Sequence, residues 1–101
     1  MKLPKITEKE FQSQVVQLAK LRGWLCFHDY DSRKSTAGFP DLVLIRGHQI
    51  LVAELKVGNR KATPEQRQWL EAFAGARVRA FIWTPADWKE IESILEIGPP
   101  E

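Results

Sequence analysis

Two acidic residues and a lysine interrupt the stretch AGFPDLVLIRGHQILVAELKV, residues 37–57, which is otherwise rich in strand-forming side chains. Asp41 precedes one apolar run, and Glu54 and Lys56 lie near the end of the next. Carboxylates in apolar surroundings repel each other and lose solvation, so they need a compensating charge. A divalent cation shared by Asp41 and Glu54 would supply it, and Lys56 would then face a reacting phosphate.

The two apolar runs predict a β-hairpin that brings the acids together. Gly47-His48 fits a two-residue type II′ turn, with glycine at the first central position. Asp41 then lies opposite Glu54 with Cβ atoms ~5 Å apart, and Lys56 shares their face. The alternative is a structural ion pair between Lys56 and one acid. Both faces of the hairpin are largely apolar, so we expect helices to cover both.

Helical and strand patterns flank the hairpin and give the order α-β-β-β-α-β-α. Thr7 and Glu10 form a capping box that begins the first helix, which ends at Gly23. Thr63 and Gln66 form the capping box of the second helix. The fold class is therefore α/β, with a mixed central sheet flanked by helices.

Length and composition limit the other classes of protein. The 101 residues fit a single domain with a core from about residue 7 to residue 95 and a tail at residues 98–101. Cys26 is the only cysteine, which excludes an intramolecular disulfide and favours the cytoplasm. No segment is apolar over the ~20 residues that a membrane span needs. The net charge of +2 does not by itself identify a nucleic-acid-binding protein.

Further candidates for the site lie on the first predicted helix and at the end of the first predicted strand. Glu8 extends the buried stripe of this helix and would point towards the metal, or it is simply a favourable charge at a helix N-terminus. Gln12, four residues later, is near enough to join the site. His28, near the end of the first strand, is either a structural residue or a phosphate contact.

Two basic segments flank the strands that carry the acids. Arg33, Lys34 and Ser35 precede the first of these strands, and Arg60 and Lys61 follow the second. Their cations would bind phosphates beside the metal without reading sequence. The alternative is that both segments are ordinary solvated loops.

The motifs around these acids resemble those of a known family. FPD at residues 39–41 and ELK at residues 54–56 resemble the P-D…(D/E)-x-K nuclease superfamily, and the order of elements fits its core. More narrowly, the chain resembles the virus-type replication-repair nuclease (VRR-NUC) domain family. The matching segments are TEKEFQSQVVQLAKLRGW, DSRKSTAGFPDLVLI, VAELKVGNRKATPEQRQWL and VRAFIW.

This resemblance implies hydrolysis of DNA phosphodiester bonds that depends on Mg²⁺ or Mn²⁺. It implies that Asp41, Glu54 and the backbone carbonyl of Leu55 are metal ligands and that Lys56 is the catalytic lysine. The family's glutamate on the first helix matches Glu8.

Gln66 matches a glutamine typical of the family after E-x-K. Because one amide has limited reach, we expect its roles in the capping box and in the site to exclude each other in part.

Short members of the family resemble Holliday-junction resolvases and act as homodimers, which implies a structure-selective endonuclease on branched DNA. No organic cofactor and no membrane partner is implied. The alternatives are a flap-directed or non-selective nuclease that needs a partner protein, and a nucleic-acid-binding module whose metal site is only structural.

Overall fold

The chain forms a four-stranded sheet with helices packed against it. The computed structural model describes residues 5–28 and 36–97, so the predicted contacts Arg33, Lys34 and Ser35 and the predicted tail lie outside it. Within these two ranges, no helix is long and apolar enough to cross a bilayer. The elements are α1 (Glu8–Leu21), β1 (Leu25–His28), β2 (Leu42–Arg46), β3 (Gln49–Leu55), α2 (Pro64–Gly75), β4 (Arg79–Trp83), a 3-10 turn (Pro85–Asp87) and α3 (Trp88–Ile97).

The order of these elements confirms the predicted α/β class. The strands lie in the order β1-β2-β3-β4, and β1, β2 and β3 are antiparallel. β4 runs parallel to β3 because α2 carries the chain back to the starting edge of the sheet. The sheet is therefore mixed.

β2 and β3 form the hairpin that the sequence predicts. The register pairs Val43 with Val52 and Ile45 with Ile50, as the two-residue turn requires. Gly47 has a φ of 60°, the left-handed value needed at the first central position of a type II′ turn. The last pair towards the open end of the hairpin is Leu42 with Ala53, so the next position sets Asp41 opposite Glu54.

α1 and α3 cover one face of the sheet and enclose the hydrophobic core. Thr7 and Glu10 close the predicted capping box at the start of α1, with two hydrogen bonds of 3.0 Å. The core is built from apolar side chains of both helices and all four strands or their ends: Phe11, Val15, Val16, Ala19, Trp24, Leu42, Leu44, Leu51, Ala53, Leu55, Trp83, Ile91 and Leu95. This packing fixes the N-terminus of α1 relative to the ends of β2 and β3.

The other face of the sheet is only partly covered. α2 contacts β3 and β4, but Leu25, Phe27, Ile45 and Ile50 stay between 39% and 73% exposed. Leu25 pairs with Ile45, which pairs with Ile50, so these side chains form one apolar surface, called here the open sheet face. The prediction that helices cover both faces of the hairpin is therefore wrong near its turn, at Ile45 and Ile50. The β3–α2–β4 crossover holds α2 over its own two strands.

Candidate active site

Three carboxylates meet where β2 begins and β3 ends. One side-chain oxygen each from Glu8, Asp41 and Glu54 lies within 4.8 Å of the others. Asp41 directly precedes β2, Glu54 is the penultimate residue of β3, and Glu8 is the first residue of α1. The hairpin therefore brings together the two acids that the sequence analysis paired, and α1 adds the third.

The Asp41 side chain is held by the backbone of the neighbouring strand. Its Oδ2 accepts a hydrogen bond of 2.9 Å from the Leu55 amide nitrogen. Pro40, which is fully buried, precedes it and restricts the approach of the chain. The carboxylate is thus oriented by fixed groups and keeps its other oxygen for the cluster.

Glu54 is almost completely buried, with 1% of its surface exposed. Its Oε2 accepts a hydrogen bond of 2.7 Å from the Gln66 amide and lies 3.2 Å from the Lys56 ammonium. Its Oε1 is also buried and has no hydrogen-bond partner among the described residues. A buried oxygen without a partner is costly, and three carboxylates are the donor set that Mg²⁺ and Mn²⁺ prefer. These residues therefore fit a divalent cation.

The electrostatics of Glu54 point the same way. The pKa of Glu54 is raised to about 8, mainly by burial and then by the nearby Asp41 carboxylate, while Lys56 acts in the opposite direction. Without a cation, the cluster therefore relieves its repulsion by keeping a proton on Glu54 at neutral pH. A bound cation would take the place of that proton.

Lys56 is 4% exposed and lies beside the cluster. Its backbone nitrogen donates a 2.9 Å hydrogen bond to the carbonyl oxygen of Trp83, which ties the end of β3 to β4. The contact between Lys56 and Glu54 is the ion pair of the structural alternative, and it also sets an ammonium where a phosphate would meet the acids. The geometry allows both roles.

Gln66 performs two functions with one side chain. Its Oε1 accepts a hydrogen bond of 2.8 Å from the Thr63 nitrogen, which completes the capping box of α2, while its Nε2 donates to Glu54. The expectation that these two contacts exclude each other in part is wrong, because the amide oxygen and nitrogen point to different partners.

Arg60 contacts the third acid rather than solvent alone. Its guanidinium lies 3.1 Å from Oε2 of Glu8, although Arg60 is 68% exposed. Lys61, the adjacent predicted phosphate contact, is exposed. Sequence analysis missed the pair of Arg60 with Glu8, because the two residues are 52 positions apart and no periodic signal links this loop to a helix N-terminus.

A close backbone approach fixes the segment before Asp41 against α2. Gly38 has a φ of 85°, and a Cβ atom there would lie 2.5 Å from the carbonyl carbon of Glu65. The ring of Phe39 packs on Trp69 and Phe73, with centroids 5.3 Å and 6.0 Å away. The sequence analysis did not identify this contact, for which the only local signal is the glycine itself.

Comparison with known proteins supports the same family as the motifs. The profile of the VRR-NUC domain matches residues 3–86. A solved structure described as a VRR_NUC domain protein is 26% identical, with a TM-score of 0.70 over 92% of this chain and 88% of that one. A search of curated proteins found no match. The matched region contains α1, the hairpin and α2, and thus every element that supplies the acidic cluster. The chain therefore belongs to the VRR-NUC domain family, a family of nucleases.

Proposed function

We propose that this protein is a divalent-metal-dependent endonuclease that hydrolyses DNA phosphodiester bonds, with selectivity for branched DNA such as four-way junctions. The observation that carries the proposal is the convergence of Glu8, Asp41 and Glu54 beside the buried ammonium of Lys56. Hydrolysis of a phosphodiester needs a cation near the phosphoryl oxygens and a positive charge for the transition state. The three carboxylates would hold the cation, and Lys56 would supply the positive charge.

Asp41 and Glu54 would hold the cation, together with Glu8 and the backbone carbonyl of Leu55. When bound, Mg²⁺ or Mn²⁺ acts as a Lewis acid that polarises the scissile phosphate. Gln66 holds one oxygen of Glu54, and the buried second oxygen, which has no hydrogen-bond partner among the described residues, would be available to the cation. Gln66 thereby orients a ligand, as outer-sphere hydrogen bonds do in other metal sites.

Lys56 would act on the reacting phosphate. Its ammonium is almost excluded from solvent, so its charge is weakly screened. From this position it stabilises the negative charge that develops on the phosphoryl oxygens and helps to position the attacking water. The family resemblance implies a product with a 5′-phosphate.

Arg60 and Lys61 would bind phosphates that flank the cut, and Arg33, Lys34 and Ser35 are proposed for the same role. Arg60 contacts Glu8 and its side chain is mostly exposed, so its guanidinium lies at the edge of the cluster within reach of a flanking phosphate. Contacts of this kind carry affinity but no sequence preference.

A homodimer would suit a four-way junction, because two sites related by a two-fold axis can make paired nicks. The open sheet face supports this assembly. It consists of Leu25, Phe27, Ile45 and Ile50, four apolar side chains without a charge among them. A two-fold interface matches the same patch on both copies, and an uncharged apolar patch is complementary to itself.

The test is cleavage of four-way, flap, single-stranded and duplex DNA in Mg²⁺, in Mn²⁺ and in chelator. We expect cleavage of the four-way junction in either metal and none in chelator. Preferred cleavage of flaps would favour the flap-directed alternative, and equal cleavage of all substrates the non-selective one. Binding without cleavage in any metal would support the binding module instead. Glu54→Gln should abolish cleavage, and full activity in this variant would overturn the proposal.

A further inference from the structure

A groove with a cavity of about 340 Å³ lies between α1 and the end of β1. Its polar lining consists of Lys9, Gln12, Ser13, Gln17, Lys20 and His28; it is called here the α1 groove. We infer that the α1 groove binds the sugar–phosphate backbone of the nucleic-acid strand that flanks the cut. This inference rests on the proposed nuclease function and names the path of its substrate.

The position of the groove ties it to the acidic cluster. Gln12 lies one helical turn after Glu8, on the same side of α1. At the other wall, His28 pairs with Leu42, the residue that follows Asp41. The groove therefore starts within about one helical turn of the acidic cluster, so a strand that leaves the cluster along α1 would pass into it.

The groove carries positive charge at both ends. Lys9 and Lys20 are eleven positions apart on α1, which corresponds to about 16 Å along the helix axis. One strand of duplex DNA has a phosphate for every ~3.4 Å of axis, so this span matches roughly five phosphates. The described lining contains no carboxylate that would repel them.

Within residues 5–28 and 36–97, neither lysine is neutralised by a neighbouring acid. The described residues form no ion pair with Lys9 or Lys20. The acids on either side of Lys9 are engaged elsewhere, since Glu8 binds Arg60 and Glu10 accepts a hydrogen bond from the Thr7 nitrogen. Both ammonium groups are thus available to an external anion.

The middle of the groove offers uncharged groups suited to a sugar–phosphate chain. Gln17 donates a hydrogen bond of 3.1 Å to the Ser13 hydroxyl, whose own proton can still be donated to a phosphate oxygen. Val16, which is 8% exposed, supplies an apolar floor for the sugars. These contacts would hold the backbone of any sequence, as a structure-selective enzyme requires.

The test compares Lys9→Gln, Lys20→Gln and the double variant with Lys89→Gln, which removes the same charge from the exposed side of α3. DNA binding is measured by fluorescence anisotropy in chelator over a range of salt concentrations. Each lost phosphate contact should lower the slope of log K against log salt by ~0.9. We expect the slope to fall by about two units in the double variant and to stay unchanged in Lys89→Gln.

A second measurement locates the contacts on the DNA. Neutral methylphosphonate linkages are placed one at a time along the strand that flanks the cut. Wild type should lose affinity at two positions roughly five phosphates apart, and the double variant should be insensitive at those same positions. Lys9→Arg with Lys20→Arg, which keeps both charges, should restore the wild-type profile. Thermal unfolding of each variant checks that α1 remains folded.

The outcomes separate this inference from the nuclease function. If wild type cleaves DNA while the double variant binds like Lys89→Gln, the α1 groove is not the path and the nuclease proposal stands. If wild type cleaves nothing but loses binding through the two lysines, the groove is supported and the nuclease function is overturned. If wild type binds no DNA, both proposals are wrong.

Discussion

The side-chain amide of Gln66 joins the cap of a helix to the buried carboxylate of Glu54. Its nitrogen lies 2.7 Å from Oε2 of Glu54, and its oxygen accepts from the Thr63 nitrogen at 2.8 Å. The first turn of α2 and the end of β3 are therefore linked through one amide group. Any change in the position of α2 is transmitted to a proposed metal ligand.

Gln66→Ala should impair both stability and catalysis. Loss of the hydrogen bond to a metal ligand typically costs 10–100-fold in metal affinity or activity. Thr63→Ala is the matched control, since it loses the cap, worth about 1 kcal/mol, but keeps the contact of Gln66 with Glu54. Urea unfolding and Mg²⁺ titration of cleavage rates measure the two effects. Equal rates in the two variants would contradict an orienting role for Gln66.

Metal-free protein should lose stability as the pH rises towards 8. The folded chain keeps a proton on Glu54 up to a pKa of about 8, whereas the unfolded chain releases it near the ordinary glutamate pKa of 4.5. The folded state binds more protons between these values, so the free energy of unfolding falls with increasing pH. Glu54→Gln resembles the protonated form and should lack this dependence. Urea unfolding in chelator at several pH values measures it.

In Mg²⁺, the free energy of unfolding should no longer fall as the pH rises towards 8, because the bound cation stabilises the ionised Glu54. Binding requires the deprotonated carboxylate, so metal affinity should rise with pH up to about 8 and binding should release a proton. Calorimetry in buffers of different ionisation enthalpy counts the protons. Metal binding that releases no proton at pH 7 would mean that the cation does not bind Glu54.

Gly38→Ala should be markedly destabilising. The added Cβ would lie 2.5 Å from the backbone carbonyl carbon of Glu65. The alanine would also have to adopt a φ of 85°, which residues with a side chain rarely do. Gly58→Ala is the control, because Gly58 also has a positive φ but nothing lies within 4 Å of its added Cβ. The control should cost about 1 kcal/mol and Gly38→Ala clearly more, together with lower activity as Asp41 moves. Equal unfolding free energies would show that the close approach is relieved cheaply.

Ile45→Lys should separate the proposed dimer into monomers. It sets a charge in the centre of the open sheet face, between Leu25 and Ile50. Leu21→Lys is the control, since Leu21 is 76% exposed but lies at the end of α1, which packs on the other face of the sheet. Light scattering measures the mass. A wild type that is monomeric at micromolar concentration would rule out the interface.

Arg60→Gln should have opposite effects on metal and DNA. It removes the cation that contacts Glu8, so the Mg²⁺ affinity of the free enzyme should rise several-fold. DNA affinity should fall because a phosphate contact is lost. Lys61→Gln, which removes an equal charge next to it, should weaken DNA binding without the gain in Mg²⁺ affinity. Stability should change by less than about 1 kcal/mol, as for other exposed ion pairs.

Sequence patterns were sufficient where the interactions are local. The type II′ turn at Gly47 sets the register of β2 and β3, and that register alone brings Asp41 to Glu54. The capping boxes at Thr7 and Thr63 follow from residues only three positions apart. In each case one turn of backbone geometry decides the result.

Patterns failed where distant elements meet. Nothing in the sequence near Glu8 indicates that Arg60 contacts it. The contact of Gly38 with Glu65 depends on how α2 packs against the sheet. The two apolar faces of the β2–β3 hairpin predict a helix on each face, but Ile45 and Ile50 are exposed. Apolar side chains predict that a surface avoids water, but they do not identify what covers it.

The short hairpin turn also suggests an order of assembly during folding. Asp41 and Glu54 are joined by thirteen positions of chain, and a hairpin of this kind closes in roughly 1–10 μs. Glu8 reaches them only when α1 docks, a contact of much greater sequence separation that forms more slowly. Two of the three acids therefore come together early, and their mutual repulsion becomes a cost of the nucleation step. We expect Glu54→Gln, which removes one of the two charges, to refold faster than the wild type at pH 9 in chelator, as measured by stopped-flow fluorescence.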